Sequence, residues 1–422
     1  MKVVMRICHA TNWLPGYHKI WGGAEQASYR TIKLLIKNGY DVDVISTKPV
    51  KEPKEDFDFF SLRLQEDVFK KFGNKIEWFK EGVFPFDFLS FLQSYRILKK
   101  LKPDVLHLHN IKTLSLSIIS VAKLLKIPVV LTIYDYWYFC LISTLFDKNE
   151  KVCKLFHGSY CADCVEKLGL PRNISKFLLK SRKKIFDYFL NKVDKFIVLS
   201  KSSARILENY GIKKERISLI PLVFSPKKFK MRKVKPSNLI LYAGWFVRHK
   251  GLHVLIKAMP KILKEVPDAK LITVGDMKAD PRYTKFVLDL IKKNNLEDKI
   301  SVFGKVPDNE FEKIYEKSFV IAILEQWENM SPVFLVDSMA NKKAIVASRI
   351  GGMPEFIKNG KNGFLCEPNN PNDFAEKIIF LLKNKNVAKI FGGRAQKDIS
   401  KMINEDGIFK KFDKLYKSLV KK

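Results

Sequence analysis

The sequence predicts an α/β protein built from two doubly wound domains. Three observations predict it. Short apolar or β-branched runs alternate along the chain with longer segments of helical spacing, the pattern of a parallel sheet covered by helices. Glycine-containing loops follow several of those runs, at 22–23, 244–251 and 351–352. The 422 residues also exceed what one ordinary core organises.

An apolar fraction of 46% supplies the cores and excludes a disordered chain. No apolar run reaches the roughly 18 residues of a membrane span, because the longest, 114–125, is broken by serines and Lys123. MKVVMRICHA reads as a strand and not as a signal peptide, so a cytoplasmic location is expected. The net charge of +33 raises the question of nucleic acid. That charge is mostly lysine and is spread over both halves, which points to overall composition and not to a phosphate-reading surface. No nucleic-acid partner is expected.

In chain order, residues 2–8 form the first strand and a loop leads to Gly22-Gly23-Ala24-Glu25. A helix over 25–38 ends at Gly39, and a strand follows over 40–46. The glycine pair lets backbone approach a phosphate at a helix N-terminus; a plain tight turn would use the same pair. Residues 48–100 show no clean period, and their many phenylalanines read as core before they read as an acceptor surface. Asp41-Val42-Asp43 lies in a strand and is read as structural. Residues 104–109 (DVLHLH) are a buried strand that ends on His109, where ligand clefts form in such sheets; His107 is expected to be structural. A helix over 114–125 and a strand over 129–133 complete the unit.

Cys140, Cys153, Cys161 and Cys164 then fall within 25 residues, the last two as Cys-x-x-Cys. Such a cluster fits a structural zinc site or another crosslink, and also fits unrelated free thiols; a catalytic metal is not expected. Residues 174–190 make a basic amphipathic helix, with Lys176, Lys180, Lys183 and Lys184 on one arc and Ile174, Phe177, Leu178, Ile185 and Phe189 opposite. It either packs its apolar side on the domain or lies on an anionic membrane surface. A strand (195–200), a helix (202–210) and a strand (217–221) close the first domain.

Residues 225–237 are basic and flanked by prolines, as linkers are. The second domain opens with a strand at 239–243, the loop 244–251 and a helix at 252–263; Lys250, just before that helix, suits a diphosphate. Strands follow at 270–275, 299–303 and 320–324. After the last come Glu325, Trp327, Glu328, Asn329, Met330 and Ser331, then a helix at 333–340, a strand at 344–347 and the turn 348–354. Residues 404–422 have helical spacing.

Taken together, the motifs GGAE at 22–25, DVLHLHN at 104–110, YAGWFVRHKG at 242–251, WENMSPVFLVDSMA at 327–340 and SRIGGMPEFIKNGKNGFL at 348–365 stand in a family's order. The chain resembles the retaining glycosyltransferases of family 4, of the GT-B fold, over nearly its whole length. The resemblance implies two Rossmann-like domains facing across a cleft: residues 1–224 for the acceptor, with a cysteine-containing insert at 140–164, the linker 225–237, and residues 238–403 for a nucleoside diphosphate sugar. It implies that the helix 404–422 returns to the first domain. It assigns Glu328 and His109 to the transferred sugar, Asp337 to the ribose, and Lys250 and Gly22–Gly23 to phosphate, where Arg248 could supply further charge. Asn329, Met330 and Ser331 would contact the sugar and phosphate through their backbone. The acceptor would be a glycan or a lipid-linked sugar, the enzyme peripheral on the inner face of the plasma membrane, and the chemistry free of cofactors, with structural zinc alone in prospect.

Three departures stand against the pattern. The second acid is an aspartate, it follows Glu328 by nine residues where the family has eight, and Trp245 replaces an arginine. They leave a second expectation, a catalytically silent relative that binds a nucleotide sugar or a partner protein.

Overall fold

The computed structural model describes residues 5–19, 22–69, 73–164, 171–227, 229 and 237–420. They form two compact units: Met1–Lys148, Cys153–Val223 and Glu405–Lys422 in one, and Asn149–Val152 with Phe224–Asn404 in the other.

The first unit carries a seven-stranded parallel sheet of order β3-β2-β1-β4-β5-β6-β7. Its strands are β1 (Arg6–Ala10), β2 (Asp41–Thr47), β3 (Asp58–Leu62), β4 (Val105–Leu108), β5 (Val129–Thr132), β6 (Lys195–Val198) and β7 (Ile217–Leu219). The central strands are apolar at nearly every position because helices cover both faces. The first strand sits further along than residues 2–8. Pairing with β2 starts at Arg6↔Asp41 and is pinned by the Arg6 guanidinium, whose Nε and Nη2 reach Asp43 at 2.7 and 2.8 Å. Residues 2–4 of the expected strand lie outside the described residues.

β3 arises inside the stretch that shows no period. It pairs only with β2 at the sheet edge, so most of its residues stay partly exposed and its hydropathy pattern is weak.

The last helix, Glu405–Val420, belongs to this unit. Ile408, Phe412, Leu415 and Tyr416 share one buried cluster with Ile7, Ile32, Val44 and Val105. The Tyr416 hydroxyl lies 2.7 Å from His107 Nδ1, and Tyr40 donates to Asp413 at 2.7 Å.

The helix Arg172–Leu190 corrects the expected amphipathic face. Its buried residues are Ser175, Leu179, Arg182, Phe186, Phe189 and Leu190, whereas Phe177 is 72% exposed and Ile174 is exposed too. A charged residue occupies the packed side, so sorting by hydropathy turned the face. Arg182 is buried, stacked 3.8 Å over the Phe186 ring, and donates to Gly82 O and Trp137 O.

The second unit carries a six-stranded parallel sheet of order β10-β9-β8-β11-β12-β13. Its strands are β8 (Leu239–Ala243), β9 (Lys270–Val274), β10 (Ile300–Phe303), β11 (Val320–Ile323), β12 (Ala344–Ser348) and β13 (Phe364–Cys366). Of the stretch expected as a linker, residues 228 and 230–236 lie outside the described residues. What is described is docked on this unit and not free. Lys227 N–H donates to Asp337 Oδ1 at 2.9 Å, and Phe229 is buried with its ring 4.2 Å from that of Tyr315. An aromatic side chain that gains this burial overrides the linker-like composition around it.

Candidate functional site

In the second sheet the strand order reverses between β8 and β11, so the loops after those two strands part and leave a crevice at their C-terminal ends. The loop after β8 runs from Gly244 to Gly251, and the loop after β11 from Leu324 to Pro332. Close backbone contacts stitch them together. Gln326 N–H donates to His249 O at 2.8 Å, and Gly251 (φ +72°) sits where a Cβ would lie 2.0 Å from Leu324 O. The turn after β12 joins the same seam. Gly352 N–H donates to Asn329 O at 2.8 Å, and a Cβ on Gly351 (φ +59°) would meet that oxygen at 2.3 Å. Only glycine fits either place.

Into this seam points Lys250. Its Nζ is 2.6 Å from Glu325 Oε1 and 5.6 Å from the Trp327 ring. Glu325 is 6% exposed and also accepts from Trp327 Nε1 at 2.5 Å and Asn329 Nδ2 at 3.1 Å. A carboxylate with three donors fixes the lysine at the mouth of the crevice. Sequence reasoning passed over Glu325 in favour of Glu328. The signal available was its place at the first turn beyond β11, directly at the strand's C-terminal end.

Among the other expected residues, Ser331 N–H caps onto Asn329 Oδ1 at 3.2 Å, Met330 is buried, and Glu328 is half-buried in the same loop. Arg248 pairs with Glu150 through Nε at 2.6 Å and lies 4.8 Å over the Phe286 ring. Asp337 lies on the helix Val333–Ala340, with Oδ1 held by Lys227 N–H. Trp245 stands 59% exposed. Burial and the neighbouring Lys250 push His249 down to about 4, so it is neutral at physiological pH.

In the first sheet the reversal falls between β1 and β4. Gly22 N–H donates to Glu25 Oε2 at 2.8 Å, and Glu25 Oε1 accepts from Asn110 Nδ2 at 2.9 Å, so Glu25 ties the glycine loop to the end of β4. A Cβ on Gly23 would meet nothing within 4 Å. His109 is 1% exposed and uses both ring nitrogens: Nε2 lies 2.8 Å from His9 Nδ1 and Nδ1 lies 2.9 Å from the Tyr134 hydroxyl. It is therefore a buried imidazole with both ring nitrogens engaged.

Burial holds His9, His107 and His109 well below the usual histidine range. Their ligand atoms lie within 4.8 Å of one another. His107 is saturated by Tyr416 and by Thr132 Oγ1 at 2.7 Å, so the trio is a hydrogen-bonded core and not an open metal set. Beside it, burial raises Asp135 to about 6 although Trp137 N–H donates to it at 2.8 Å. Among the described residues, no helix is long and apolar enough to cross a membrane.

Residues 21–226 match the family described as Glycosyltransferase Family 4, and residues 224–398 match Glycosyl transferases group 1. An uncharacterized glycosyltransferase of Methanocaldococcus jannaschii is 30% identical over 288 residues, 65% of this chain and 69% of the relative. This chain belongs to glycosyltransferase family 4. Another relative, the N-acetyl-alpha-D-glucosaminyl L-malate synthase of Bacillus anthracis, is 30% identical over 179 residues, 42% of this chain and 45% of that relative. The chain spans about half the length of the curated relatives it matches first, 48% and 45%. The crystal structure of Anabaena HepE in complex with UDP-glucose aligns over 98% of this chain and 100% of its own, with a TM-score of 0.68 at 14% identity. That likeness gives the fold, which is the family's GT-B architecture.

Proposed function

We propose that this chain is a retaining glycosyltransferase that moves a sugar from a nucleoside diphosphate donor to a glycan or lipid-linked acceptor. The observation that carries this reading is Lys250, held by Glu325 inside the crevice after β8 and β11. An ammonium has three N–H donors, and one bound to Glu325 leaves others for a diphosphate. As the bond from sugar to phosphate breaks, negative charge grows on the departing diphosphate. Lys250 and the backbone N–H groups at the start of the helix Val333–Ala340 oppose it. Glu328 faces the transferred sugar, and Asp337 takes the ribose while keeping its hold on Lys227. HepE, seen with UDP-glucose, supports a nucleotide sugar as the donor class.

A lipid-linked acceptor is supported by the surface of the first unit. Phe177, Ile174 and Tyr188 are exposed on a helix that also displays Lys180 and Lys184, and Phe84 and Phe88 are exposed as well. Apolar tips among lysines suit an anionic bilayer surface.

The test is a thermal-shift screen of nucleotide sugars, followed by transfer of the stabilising sugar from a radiolabelled donor to membrane extract. Stabilisation and transfer that both vanish in Lys250→Ala support the proposal. Stabilisation with no transfer to any acceptor leaves the silent, nucleotide-sugar-binding relative, and no stabilisation by any nucleotide overturns both.

A further inference from the structure

Four cysteines of the first unit converge on one place. Cys140 and Cys161 are buried, Cys153 and Cys164 are half-buried, and all are free thiols. They line a single cavity of about 20 Å³, walled otherwise by side chains such as Leu145, Phe146, Phe156 and Tyr160. A space of that size holds one water-sized sphere and no cluster or organic group.

A further observation points to negative charge there. Arg182 is fully buried and bonded only to neutral acceptors, Gly82 O at 2.8 Å, Trp137 O at 3.1 Å and His157 Nδ1 at 2.8 Å, the last on the residue that follows Phe156 of the cavity wall. Among the described residues no carboxylate pairs with it, and the anionic forms that favour its charge are those of Cys140, Cys161 and Tyr210. A buried guanidinium without a counter-charge is costly. A divalent ion in four thiolates is a net dianion and supplies one.

We propose that Cys140, Cys153, Cys161 and Cys164 bind one tetrahedral zinc ion that crosslinks the segment after β5 and rests against Arg182. Each thiol gives its proton to solvent as the ion enters, and no redox change is involved. No three of these sulfurs lie within 4.8 Å of one another, so uptake draws them inward to the roughly 2.3 Å zinc–sulfur distance. The site is structural: four protein ligands leave no open position for water or substrate.

The test uses the full chain purified under reducing conditions, with metal content measured by mass spectrometry. About one zinc per chain is expected, and none in the double variant Cys161→Ser, Cys164→Ser. Protein produced in cobalt-supplemented medium should show thiolate-to-cobalt charge-transfer and tetrahedral d–d bands, retained in Cys366→Ala. This arm uses the unaltered cysteines, so it decides the matter even if the double variant fails to fold. Wild-type protein free of zinc and without cobalt bands overturns the proposal. So do bands that persist in the double variant, or a Cys161–Cys164 disulfide mapped in the reduced preparation.

Discussion

The Lys250 ammonium and the Glu325 carboxylate meet at 2.6 Å on two loops that leave two different strands. The pair clamps the β8 loop to the β11 loop and sets a positive charge at their common mouth. Lys250→Ala should lower turnover by about 100- to 1000-fold, the usual loss for a preorganised charge on a developing anion. Glu325→Gln removes the charge that holds the lysine and one of the two acceptor oxygens that Trp327 and Asn329 use separately. It should raise the donor KM more than it lowers kcat. Steady-state kinetics separate the two, and unchanged constants in both variants would refute the assignment.

Backbone sterics give a second prediction. Gly251→Ala forces a Cβ against Leu324 O at a positive φ, and it should cost about 3 kcal/mol or more of second-unit stability. Gly23→Ala meets open space and should leave stability within about 0.5 kcal/mol. Urea denaturation measures both, and equal losses would contradict the geometry.

Acid should weaken the first unit. His9 is held down to about 3 by burial, and His107 and His109 are lowered with it, so these rings are neutral when folded and gain protons on unfolding. Their stability is whole above the unfolded histidine value of about 6.5 and is lost as pH falls from there toward 3, by up to about 1.4 kcal/mol per pH unit for each ring. Asp135 acts the other way. Raised to about 6, it adds stability at low pH that is lost as pH rises through 6. Denaturation midpoints between pH 7 and 4.5 should therefore fall with acid, and fall faster in Asp135→Asn. A flat profile would mean that the histidines are not buried neutral.

The buried Tyr416 hydroxyl against His107 predicts a loss of about 1–2 kcal/mol for Tyr416→Phe, because the histidine nitrogen is left unpartnered. Differential scanning calorimetry should show the loss in the transition of the first unit alone.

The proposed membrane contact through the helix Arg172–Leu190 rests on Lys180, Lys184 and the exposed Phe177. Reversing both lysines to glutamate should abolish co-sedimentation with anionic vesicles, since each lysine near such a surface is worth about 1 kcal/mol. Vesicle binding that survives the reversal would remove this helix from the acceptor argument.

The sequence carried the sheet interiors plainly, because strands such as β11 and β12 are buried on both faces and read as nearly unbroken apolar runs. It carried Lys250 through its place between a glycine loop and a helix. Two things it did not carry. In Glu-Gln-Trp-Glu, at 325–328, nothing local says which carboxylate turns inward; that is decided by the approach of Gly251 to Leu324 from a loop some 70 residues away in the chain. Nor does a hydropathy wheel anticipate Arg182 on a packed face, since its place depends on carbonyl groups of Gly82 and Trp137 brought there by other elements.

The helix Glu405–Val420 also sets the order in which the chain matures. The first sheet is made first, yet part of the cluster that covers it is encoded beyond the second unit. At about 5–20 residues per second, the interval from Val223 to Glu405 is roughly 10–40 s. During that time the face awaiting Phe412 and Tyr416 is open, while nearly all of the second unit has emerged. The unit whose sheet is made first is thus completed only after the second unit has been synthesised.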